Sequence, residues 1–93
     1  MKAIYRNTVI AESDKTVMVE GNHYFPMDSI KKEYLEDSDY RTTCPWKGEA
    51  HYFHVKVEGN QSQDAAWTYP EPKEAAAEIK NHVAFWKDVE VVE

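Results

Sequence analysis

Glu49-Ala50-His51-Tyr52-Phe53-His54-Val55-Lys56-Val57 is the stretch whose reading decides the fold. At a period of two, His51, Phe53, Val55 and Val57 share one face, and Ala50, Tyr52, His54 and Lys56 share the other. Alternation with β-branched and aromatic residues predicts a long strand over residues 49–57. Glu58-Gly59-Asn60 then turns the chain, so residues 63–68 are expected to return as its antiparallel partner. Upstream, Ala3-Ile4-Tyr5 and Thr8-Val9-Ile10-Ala11 flank the tight turn Arg6-Asn7. Residues 16–19 and His23-Tyr24-Phe25 follow, joined through Gly21-Asn22 and stopped by Pro26, which extends the reading to a meander of hairpins.

Between these strands the signals change. Residues 27–40 carry Glu33, Glu36, Asp37 and Asp39 and read as a short surface helix or 3₁₀ turn ending in a solvated acidic loop. Residues 73–80, behind Pro72 and rich in alanine, are expected to form the one helix of the chain. Residues 83–86 and 89–92 read as a closing hairpin about Lys87-Asp88. The fold class is therefore mainly β, α+β in the loose sense.

Composition narrows the function. The 93 residues fit one domain, 1–93, and 11 Lys plus Arg against 17 Asp plus Glu give a net charge of −6. Such a chain lacks the cationic balance of a nucleic-acid or anionic-membrane binder. No apolar run approaches a membrane span, and Met1-Lys2-Ala3-Ile4-Tyr5-Arg6 has no signal-peptide core, so the expected location is the cytoplasm. One cysteine excludes an internal disulfide and any multi-thiolate zinc site. His51 and His54, three apart on a strand, point to opposite faces and do not chelate one ion together. No metal or other cofactor is expected.

Two shaped bends concentrate the remaining chemistry: Cys44-Pro45-Trp46-Lys47-Gly48 and Trp67-Thr68-Tyr69-Pro70-Glu71-Pro72. Aromatic side chains beside rigid turns supply the walls of a cleft. The expected site sets Tyr24, Trp46, Trp67 and Tyr69 as walls, Lys47 against a polar or anionic group of a small ligand, and Cys44 nearby. An enzymatic alternative assigns transfer chemistry to Asp37-Ser38-Asp39, a carboxylate pair of the kind that holds magnesium, or thiol chemistry to Cys44. In a third reading the aromatic residues only fill a small core, as an interaction or structural module.

These blocks, together with His23-Tyr24-Phe25-Pro26 and Val83-Ala84-Phe85-Trp86, resemble the small bacterial family called domain of unknown function 427 over nearly the whole chain. The resemblance implies a compact β-tent-like domain similar to Mss4 and methionine sulfoxide reductase B. Relatives of that fold often carry zinc on paired CxxC motifs, which Cys44 alone does not provide. The family's labels also suggest nucleotidyl transfer, but fold likeness does not carry function.

Overall fold

The computed structural model describes residues 1–93. Nine strands form two antiparallel sheets. The smaller has the order β2-β1-β9, with β1 at Lys2–Tyr5, β2 at Thr8–Glu12 and β9 at Glu90–Val92. The larger has the order β3-β4-β8-β7-β6-β5, with β3 at Val17–Val19, β4 at Asn22–Pro26, β5 at Leu35–Cys44, β6 at Gly48–Val57, β7 at Asn60–Thr68 and β8 at His82–Phe85.

The period of two in β6 has its expected consequence. Phe53, Val55 and Val57 join a core between the sheets with Phe25, Val83 and Phe85 of the larger one and Ala3, Tyr5, Ile10 and Ala11 of the smaller. Ala50 and Tyr52 face the other way and join a second cluster with Tyr24, Tyr69, Ala84 and Ile79. The central strands are thus buried on both faces, which is why Phe25 and Tyr24, adjacent in sequence, are both fully buried.

Several sequence expectations are corrected. The four N-terminal strands are not one meander: the β1–β2 hairpin belongs to the smaller sheet and the β3–β4 hairpin to the larger. The turn between β3 and β4 is Glu20-Gly21, both at positive φ, with Asn22 already paired to Val19. Residues 35–44 are a ten-residue edge strand rather than an acidic loop, preceded by two 3₁₀ turns at Met27–Ser29 and Lys32–Tyr34. The expected helix is a 3₁₀ segment, Glu74–Ile79, broken at Ala76 (φ −121°, ψ 23°), because six residues with two buried side chains give an α-helix little to propagate. The closing hairpin is absent as well. β8 pairs with β4 and β7, the chain changes sheet through residues 86–89, and β9 pairs with β1.

Two bulges shape the middle of the larger sheet. Asp37 pairs with Phe53 and Arg41 with His51, so Ser38, Asp39 and Tyr40 together stand opposite Tyr52. On the other side of β6, Phe53 pairs with Ala66 and Val55 with Ser62, so Gln63, Asp64 and Ala65 stand opposite His54. Asp64 takes the left-handed conformation (φ 55°). The bulges are tied together: Ser38 Oγ donates to Asp64 Oδ1 (2.5 Å), and the Asp64 N–H donates to His54 Nδ1 (3.0 Å).

Candidate functional site

The two proline bends, separated in sequence by residues 49–66, dock on one another. The Lys73 N–H donates to the Lys47 carbonyl (2.9 Å), and Lys73 Nζ donates to the Pro45 carbonyl (2.6 Å). Gly48 lies against the second bend. It sits at φ +115°, and a Cβ there would lie 3.3 Å from the Glu71 carbonyl oxygen, so both the backbone conformation and the space require glycine.

Beside this junction lies a cavity of about 160 Å³ lined by Lys47, Tyr52, Trp67, Tyr69 and Trp86. Tyr52 and Trp67 are direct cross-strand partners on β6 and β7, with ring centroids 6.4 Å apart and planes inclined by 36°. Trp86 follows β8 and meets Trp67 nearly at a right angle (86°, 6.0 Å), forming a corner. Its position depends on the β7 bulge: Trp86 Nε1 donates to the Asp64 carbonyl (2.6 Å). Trp67 Nε1 donates to the Tyr24 hydroxyl beneath it (3.2 Å). Tyr52 shares a hydrogen bond with Thr42 (3.0 Å), and its far side meets the half-exposed ring of Tyr40 at 4.8 Å. The Tyr52, Trp67 and Trp86 walls are therefore pinned by hydrogen bonds before any ligand arrives.

Of the six residues expected from sequence, Lys47, Trp67 and Tyr69 line this cavity, while Tyr24 lies fully buried under Trp67. Trp46 keeps its ring 5.3 Å from Lys47 Nζ and is 39% exposed, but it is outside the lining. Cys44 ends β5 and packs, partly buried, into the second cluster with Tyr69 and Ile79. The hollow thus takes Lys47 from one bend and Trp67 and Tyr69 from the other, and Tyr52 of β6 and Trp86 after β8 complete its lining. Tyr52 and Trp86 were missed as site residues. The alternating face of residues 50–56 pointed to Tyr52, whereas Trp86 has no local signal, because the bulge that holds it is a tertiary feature.

Lys47 is the electrostatic centre. Its side chain is nearly buried, pairs with the exposed carboxylate of Glu20, and sits 5.5 Å from the Tyr69 ring centroid. Burial works against its charge, but the hydrogen bond to Glu20 and the neighbouring tyrosines outweigh this and hold the ammonium above the usual lysine value. Burial pushes the Tyr69 hydroxyl up to about 12, opposed by Lys47, and it raises Tyr24 against the pull of Trp67 and Lys47. All three groups keep their protons more tightly when folded. Stability is therefore full below pH 10 and falls as pH rises from about 10 towards the Tyr69 value of about 12, with Lys47 and Tyr24 acting in the same direction. Urea unfolding across this window should show the decline, and Tyr69→Phe should make it shallower.

The other sequence candidates lie elsewhere. Asp37 and Asp39 flank the bulged Ser38 at the rim of a polar groove of about 460 Å³ that also includes Arg41 and His51. Arg41 Nη1 spends two hydrogen bonds on the Ser38 and Tyr40 carbonyls, clamping the bulge. His51 Nε2 lies 3.0 Å from Glu49 Oε1, and His54 Nδ1 accepts from the Asp64 amide. No helix is long and apolar enough to cross a membrane.

Comparison with curated proteins finds no match. A family match does exist, and it runs from the first β-hairpin through both proline bends to the final strand. Covering residues 1–93, it shows that the chain belongs to the family described as a domain of unknown function (DUF427).

Proposed function

We propose that this domain binds a small polar ligand in the aromatic pocket, with Tyr52, Trp67, Tyr69 and Trp86 as walls and Lys47 at one side. The observation that carries this reading is convergence. Side chains from β6, β7, the segment after β8 and both bends meet around one opening, and the polar tips of Tyr52, Trp67 and Trp86 are held by partners outside it. Rigid aromatic walls of this kind favour binding because little side-chain freedom remains to be lost. The volume suits one ring or head group, well below the several hundred Å³ of a drug-sized site.

Titration of the protein with small polar and anionic metabolites and nucleotides, followed by tryptophan fluorescence, tests the proposal. A saturable change is expected with at least one compound. Trp86→Ala should weaken that compound about tenfold while costing only about 1 kcal/mol of stability, since the ring is 44% exposed. Silence across the panel would overturn the reading. So would a fluorescence change that Trp86→Ala leaves intact.

A further inference from the structure

Which ligand chemistry suits this pocket follows from what its groups have left to offer, and the inference rests on the binding reading above. Both indole N–H groups are committed, Trp67 to Tyr24 and Trp86 to the Asp64 carbonyl. The Tyr52 hydroxyl is paired with Thr42. Lys47, the one charged group in the lining, is matched by Glu20. Only the Tyr69 hydroxyl makes no hydrogen bond within the protein, so a ligand rich in hydroxyl or amide groups would lose water and regain few of its hydrogen bonds. A free anion would compete with Glu20 for Lys47 inside a chain of net charge −6.

Beyond that one hydroxyl, the pocket offers π surface arranged as a corner: Trp67 and Trp86 at 86°, Tyr52 inclined to Trp67 by 36°, and Tyr69 completing the lining. Rings of this protein already hold ammonium groups in that manner, Lys87 Nζ at 5.1 Å from the Trp86 centroid and Lys47 Nζ at 5.5 Å from Tyr69. We propose that the pocket of Tyr52, Trp67, Tyr69 and Trp86 takes a methylated ammonium head group, a quaternary nitrogen with no N–H to satisfy. Such a cation gains from several ring faces at once, needs no hydrogen-bond partner, and is drawn by the acidic surface. Glu20 then has a second role, because it cancels the Lys47 charge that would otherwise repel the ligand. Lys87 is exposed, and its repulsion is screened by solvent.

The test compares choline chloride with dimethylbutanol, its neutral carbon isostere, and with sodium acetate. All are titrated into the 93-residue chain at constant ionic strength and followed by tryptophan fluorescence and amide shifts. Choline should saturate with changes centred on Trp67 and Trp86 and bind about tenfold more tightly than the isostere. Glu20→Gln should weaken choline several-fold and favour acetate, because it leaves Lys47 uncompensated. Equal or tighter binding of the isostere, or tighter binding of acetate to the unaltered chain, would overturn the cation proposal while leaving a ligand pocket in place. Silence with all three probes would also overturn it, and the wider metabolite panel then decides separately whether the pocket binds anything. Should Glu20→Gln fail to fold, the comparison of choline with its isostere in the unaltered chain decides alone.

Discussion

Phe25→Ala is expected to remove about 3–5 kcal/mol of stability, the largest single effect in the chain. Phe25 is fully buried on β4 and meets Phe85 of β8 edge-on, with ring centroids 5.6 Å apart. It belongs to the cluster shared by both sheets, together with Ala3, Ile10 and Val83. Truncation opens a cavity that the surrounding strands cannot collapse to fill, because β4 is fixed by β3 on one side and β8 on the other. A domain of this size has about 5–14 kcal/mol in total, so about a fifth or more of its stability would go. Urea unfolding should show a lower midpoint with an unchanged slope. A loss below about 1 kcal/mol would mean that the two sheets do not share this core.

Gly48→Ala is expected to cost about 2–4 kcal/mol, from backbone strain and from a contact that must open. At φ +115° an L side chain is strained wherever it sits, and here its Cβ would press on the Glu71 carbonyl at 3.3 Å, with Lys73 N and Pro72 Cα just beyond. All three of those atoms are backbone, so the neighbour yields only by moving one bend away from the other. Gly21 and Gly59 serve as controls. Both have positive φ near +80°, yet a Cβ at either meets nothing within 4 Å. Alanine at those positions should cost about 1 kcal/mol. The excess at Gly48 therefore measures the docking of the bends. Hydrogen exchange gives a second readout, since the Lys73 amide bonded to the Lys47 carbonyl should lose protection in Gly48→Ala. Equal costs at all three glycines would show that the bends are not held together.

Legibility varied with how far each signal reaches along the chain. β6 and β7 could be read because apolar and polar residues alternate over many positions and Gly59 marks the turn between them. β5 could not. Leu35-Glu36-Asp37-Ser38-Asp39-Tyr40-Arg41-Thr42-Thr43-Cys44 is mostly polar because it is an edge strand with little to bury, and its charged side chains and bulge also blunt the edge against further pairing. Ala75-Ala76-Ala77 suggested a helix by intrinsic propensity, but so short a segment adopts whatever packs Ala76 and Ile79 against the sheet.

The site divides along the same line. Lys47, Trp67 and Tyr69 were visible because proline and glycine punctuate their bends. Glu20 reaches Lys47 across 27 residues, and Trp86 is placed by a bulge on another strand; neither relation leaves a local trace. Trp46 neighbours Lys47 along the chain and keeps its ring 5.3 Å from the ammonium, yet the fold leaves it out of the cavity lining.

The central claim is that the aromatic corner beside the docked bends receives a ligand. Indole and amide resonances recorded by NMR, with a compound from the panel at saturation, test it most directly. The account expects the largest shifts at Lys47, Tyr52, Trp67, Tyr69 and Trp86, with the Trp46 indole moving less. Shifts centred instead on the polar groove at Asp37, Asp39 and Arg41, or confined to Trp46, would contradict it.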